Sequence, residues 1–134
     1  MTTVRPRPCP SCPYRRDVPS GIWAAEEYAK LPLYDQPTWA QPTRMFACHS
    51  APAKVCAGWA GCHDMGESLA ARLAVSRRKI SPDIFGYTTA VPLFGSGAEA
   101  AEHGMRDLGT PGPEAQRKAA GLLRMLAGRT EGDQ

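Results

Sequence analysis

Five cysteines, all within the first 62 residues of a 134-residue chain, constrain the fold more than any other feature of the sequence. Cys9 and Cys12 sit in the run Pro8-Cys9-Pro10-Ser11-Cys12-Pro13. Cys48, Cys56 and Cys62 answer them more than thirty residues later, with His49 and His63 each directly following a cysteine. A CxxC pair lets two sulfurs converge on one ion from a single tight turn, and a distant second group can then complete the coordination.

The rest of the composition favours such a staple. Leu, Ile, Val and Phe together number only twenty, and another twenty residues are alanine, each burying little area. A chain with so thin an aliphatic core that still folds usually carries disulfides or a metal, and a net charge of only +3 argues against disorder. The N-terminus lacks the apolar stretch of a secretory signal, and no run approaches the roughly twenty apolar residues of a membrane span. The expected location is therefore the cytoplasm, where thiols stay reduced. Five is also an odd number, which intrachain disulfides alone cannot use up. Metal is the expected staple.

The expected fold class is mainly α with irregular loops: a small metal-nucleated domain over residues 1–79, then a helical extension over 80–134 packing on it. Residues 1–20, rich in Pro and Arg, read as an irregular arm fixed where Cys9 and Cys12 bind. Residues 23–31 read as a short helix with Glu26 and Glu27 in its first turn and Pro32 stopping it. Residues 33–44 read as loop, and 45–48 as a short strand delivering Cys48. Asp64 with Glu67 has the form of a capping box, predicting a helix to about Arg78 with Met65, Leu69 and Leu73 on one face. Ser81-Pro82 opens a short turn through Phe85. Ser96 with Glu99 repeats the capping box, for a helix ending near Gly109. Residues 113–127 form a last amphipathic helix bearing Leu122, Leu123 and Leu126, which Gly128 is placed to close. Residues 130–134 are expected to fray.

The first ligand set is Cys9, Cys12, Cys48 and Cys56. Cys62 or His49 can replace one of them, and His63 is a weaker candidate. Four thiolates around Zn²⁺ leave a doubly negative site, which needs cations or backbone N–H donors nearby. Arg15, Arg16 and Lys54 are the cations closest in sequence, and Gly58 and Gly61 permit close backbone approach around Trp59. Zinc is the leading cofactor. A [4Fe–4S] cluster is the alternative, since uneven spacing and the proline after Cys12 are also compatible with a cluster-binding loop. A closed four-ligand site is structural or electronic, because hydrolytic zinc keeps an open position. A thioredoxin-like reading of Cys9-Pro10-Ser11-Cys12 fits poorly: only eight residues precede Cys9, and Pro13 disfavours helical geometry at Cys12. No phosphate-binding loop, carboxylate pair or nucleophile elbow points to catalysis, and His103 reads as a surface residue.

The segments from Pro8 through Tyr14, Arg15, Arg16 and Asp17 to Trp23, followed by Phe46-Ala47-Cys48-His49 and Cys56-Ala57-Gly58-Trp59, resemble a cysteine-rich small-domain family of unknown function found in actinobacteria and their phages. The likeness covers roughly residues 8–75 and implies a compact metal-type domain built on Cys9, Cys12, Cys48 and Cys56, without assigning a reaction. A looser likeness links the chain to small iron–sulfur transcription regulators of actinobacteria, although here CxxC comes first and their basic tail is missing.

The expected function is a non-enzymatic metal-binding interaction or regulatory module. A redox-responsive cluster protein and a nucleic-acid-binding regulator are the alternatives. A protein partner is expected, with Leu122, Leu123 and Leu126 offering either a partner surface or a face that packs back. Nucleic acid enters only if folding unites Arg5, Arg7, Arg15 and Arg16 with Arg77, Arg78 and Lys79.

Overall fold

In the computed structural model, described over residues 1–132 with side chains through Met125, every regular element is helical. The α-helices are α1 (Ala25–Ala29), α2 (Ala57–Cys62), α3 (Leu69–Ser76), α4 (Gly97–Met105) and α5 (Pro113–Gly132), with 3-10 turns between them. Among the described residues no β-strand forms. Three isolated bridges, Val4 with Val55, Ala47 with Val55 and Arg15 with Leu93, are the extended pairings. The strand expected over 45–48 is thus reduced to one bridge.

Element ends differ from the sequence expectations for local reasons. α1 stops at Ala29, and Pro32 does not end helical structure but sits at the start of a 3-10 turn over Leu31–Asp35. The helix expected from Asp64 divides in two. The Asp64 carboxylate accepts from Gly66 N at 2.9 Å and caps only the 3-10 turn Met65–Glu67. Ser68 Oγ then accepts from Ala71 N at 3.2 Å and starts α3 afresh. The buried face of α3 is therefore Ala70, Ala71 and Ala74 instead of Leu69 and Leu73, with Met65 buried from the preceding turn. Arg78 terminates this stretch at φ +58°, where an L residue costs roughly 1 kcal/mol and glycine is the cheaper choice. α4 is capped as expected, Ser96 Oγ accepting from Glu99 N at 3.1 Å, but it ends at Met105 instead of near Gly109. α5 runs through Gly128 to Gly132, so Gly128 does not close it. The side chain of Leu126 and residues 133–134 lie outside the described residues.

The core compensates for scarce aliphatic residues with aromatics, alanines and the thiols themselves. Trp59, Tyr14, Tyr28, Leu31, Pro8 and Cys12 are its largest fully buried side chains. Alanines from α2, α3 and α4 fill the spaces between them, so the helices approach closely. Gly104 shows how closely: a Cβ there would collide with the Tyr28 ring.

The second half of the chain is stitched onto the first by named bonds. Phe94 N donates to Tyr14 O at 2.9 Å, Arg16 Nε to Leu93 O at 2.8 Å, and Ser20 Oγ to Gly104 O at 3.0 Å. Both oxygens of Asp35 accept from the free amides of Gly97 and Ala98 at 2.8 Å, tying the 3-10 turn to the start of α4. α5 lies over Val18 and Ile22 through Ala115 and Leu122, and Leu123 stays 69% exposed.

Candidate metal centre

Backbone bonds among three segments gather the distant cysteines. Cys48 N donates to Lys54 O at 2.9 Å and Cys56 N to Phe46 O at 2.8 Å, so the chain doubles back with Cys48 and Cys56 flanking the Ala47–Val55 pair diagonally. The N-terminal arm joins on the other side of Val55: Val55 N donates to Thr3 O at 2.9 Å and Arg5 N to Val55 O at 3.1 Å. That pairing carries Cys9 and Cys12 to the same place.

The CxxC turn is held at every carbonyl. Pro8 O accepts from Arg15 Nη1 at 3.2 Å, Cys9 O from Cys12 N at 3.0 Å, and Pro10 O from Lys118 Nζ at 3.3 Å. Ser11 O accepts from Trp23 Nε1 at 2.9 Å and Cys12 O from Arg15 N at 3.1 Å. Arg15 is itself clamped by Asp17 through two bonds of 2.8 and 2.7 Å, which hold the Asp17 carboxyl below its ordinary range. The turn is thus fixed in advance by groups from the loop, from Trp23 and from α5.

Cys9, Cys12, Cys48 and Cys56 are all at least 96% buried. Cys12 and Cys56 share a thiol hydrogen bond at 3.7 Å, and Cys9 adjoins both Cys12 and Cys48. Cys56 is also the N-cap of α2, its Sγ accepting from Trp59 N at 3.4 Å. Hydrogen bonding to Cys56, then burial, pushes the Cys12 thiol well above its ordinary value. The bond to Cys9, with burial, raises Cys48 to about 12 against the opposing pull of Ser50 and Arg5.

Among the described residues, no group of three or more His, Cys, Asp or Glu side chains stands ready to hold an ion. The sulfurs make two close pairs joined through Cys9 and Cys12, so a metal would have to draw the pairs together. The donor set otherwise fits a thiophilic divalent ion. The Cys12–Cys56 separation matches the edge of about 3.8 Å that a tetrahedron with 2.3 Å zinc–sulfur bonds requires. Gly58 leaves the space the Cys12 sulfur needs, since a Cβ there would collide with Cys12 Sγ and lie 2.8 Å from Tyr14 Cβ. A cation is also in place: Arg5 Nη1 lies 3.5 Å from Cys48 Sγ and donates to Ser50 Oγ at 3.1 Å.

Arg5 stands at Cys48 and Arg15 lies near Cys12 and Cys9 as sequence proximity suggests, whereas Arg16 and Lys54 are engaged away from the thiols. Arg15 serves the turn, Arg16 bonds Leu93 O and stacks over Phe94, and Lys54 donates to Thr3 Oγ1. Only the Val4–Val55 pairing, invisible to local patterning, could have singled out Arg5.

The substitute ligands have surroundings of their own. Cys62, at the far end of α2, lines a separate cavity of about 320 Å³ with Asp35 and His63. Burial first, then Asp35 and Glu99, push its thiol up to about 12. His49 Nε2 lies 2.8 Å from Glu27 Oε2, and the ring packs on Trp23 at 4.5 Å. His63 sets Nδ1 3.0 Å from Trp59 O and Nε2 2.9 Å from Asp35 Oδ1. His103 Nε2, expected at the surface, donates to Val18 O at 2.7 Å and fastens α4 to the N-terminal loop.

No curated protein and no solved structure matches this chain. A protein-family comparison matches residues 4–125, taking in the thiol cluster, α4 and the described side chains of α5, well beyond the 8–75 that the sequence likeness covered. The chain belongs to that family, described as a family of unknown function (DUF6283).

Proposed function

We propose that this protein is a non-enzymatic metal-binding module in which Cys9, Cys12, Cys48 and Cys56 hold one structural Zn²⁺ ion. What supports the reading is the burial of four thiols from two remote segments as two neighbouring pairs, one of them at 3.7 Å. Four protein sulfurs would leave no open position, so the role is cohesion, and apparent zinc-binding energies of roughly 10–16 kcal/mol in small domains are folding energy. The chain's own groups complete the site: Arg5 offsets thiolate charge, Trp59 N donates to Cys56, and Gly58 keeps clear the space around Cys12. Such a site belongs in a reducing compartment, as expected for a cytoplasmic protein. The resemblance to proteins of actinobacteria and their phages adds no reaction to it. The function served is presentation of a surface to a partner or target.

Elemental analysis of protein purified anaerobically without chelator tests the reading. One zinc per chain and no acid-labile sulfide is the expected result. A brown protein absorbing near 400 nm, with iron and sulfide, would replace zinc with a cluster, and metal-free folded protein would remove the reading altogether.

A further inference from the structure

Arg44, Lys54, Arg77 and Lys79, from three separate stretches of chain, line one groove of about 340 Å³ floored by Val55 and Ala74. No Asp or Glu lines it, although the chain carries 13 carboxylates. Among the described residues none of the four cations is ion-paired, and their one side-chain bond is Lys54 Nζ donating to Thr3 Oγ1 at 3.3 Å. The negative end of α3 accounts for Arg77 and Lys79. It does not account for Arg44 and Lys54, which come from the two sides of the Cys48 loop and gain nothing from that dipole. Four like charges around one concavity repel one another, and an anion with several charged oxygens relieves the repulsion.

We propose that this groove binds the phosphate backbone of a nucleic-acid duplex without reading its bases. No aromatic residue lines it, so unstacked single-stranded bases have no platform. No Asn or Gln lines it either, so bidentate contacts to adenine edges are not provided. Cations spread over several segments suit successive phosphates, which fix position and carry no sequence information. The N-terminal arginines do not join this surface, since Arg5, Arg15 and Arg16 are engaged with Cys48, Asp17 and Leu93. The inference stands on charge placement and does not depend on the metal.

Fluorescence anisotropy of the full-length chain with a labelled 20-base-pair duplex at 50 and 200 mM NaCl tests it. Four phosphate contacts give a log–log salt slope of about −3 to −4, so binding weakens on the order of 100-fold between the two salts. Arg44→Ala and Arg77→Ala each reduce the slope by about one, whatever the duplex sequence. Arg7→Ala, at an exposed position outside the groove, leaves it unchanged. Circular dichroism, measured alongside, confirms that the variants fold. No binding at 50 mM, a slope indifferent to Arg44 and Arg77, or tighter binding to single strands than to the duplex would overturn the proposal. So would binding to phosphatidylserine vesicles that exceeds binding to the duplex and shares its dependence on Arg44 and Arg77.

Discussion

At Gly58 the absence of one carbon decides whether two segments can meet. Gly58→Ala puts a methyl group against Cys12 Sγ and the Tyr14 side chain, where overpacking costs about 1–3 kcal/mol. The expected outcome is a fall in melting temperature of roughly 4 °C per kcal/mol, with less zinc retained per chain. Gly86→Ala, with open space around the new carbon, leaves both unchanged. Cys62 gives a second expectation through its proton. Burial, Asp35 and Glu99 raise its folded value to about 12, above the ordinary 9.0, so folding favours the neutral thiol. The resulting stability is fully present below pH 9 and is lost as pH rises toward 12. In zinc-loaded protein, Cys62→Ala therefore flattens the alkaline loss of stability, as melts at pH 7 and pH 10 would show. The sequence offered Cys9, Cys12, Cys48 and Cys56 as one group on the local CxxC spacing and on the shared chemistry of thiols. It could not place Arg5, whose approach to Cys48 depends on pairing between residues 51 apart.

Among the elements, α4 depends most visibly on a partner distant in sequence. Asp35 satisfies two of its free amides and also faces His63, so Asp35→Ala should destabilise the protein by about 2 kcal/mol, read by denaturant unfolding. Ser96→Ala, removing a single cap bond, should cost about 1 kcal/mol. The Ser96 cap was legible because capping is written within four residues. The Asp35 contribution was not, because it crosses more than sixty. The misplaced start of α3 has a similar origin. Asp64-x-x-Glu67 satisfies the capping pattern, but Ser68 offers a second cap, and packing of Ala70, Ala71 and Ala74 against the core selects it.

For the whole molecule, the proposed ion and the aromatic core share one location. Cys12 and Trp59 are both fully buried in it, so disrupting the site opens the core. Cys9→Ser or Cys48→Ser should abolish cooperative unfolding measured by circular dichroism. His63→Ala, whose ring bonds at the edge of a different cavity, should cost only about 1 kcal/mol. Equal and mild effects from all three variants would count against the ligand set.

By itself the sequence determined that the chain is mainly helical, is short of aliphatic core, and carries its cysteines in two groups. Those properties reside in composition, capping motifs and short spacings. Only the tertiary structure decided that Arg5 faces the thiols, that Cys62 lines a separate cavity, that His49 and His63 bond to Glu27 and Asp35, and that four cations share a groove. Each of these follows from backbone pairing and helix packing between distant segments, whose energies no local run of residues contains.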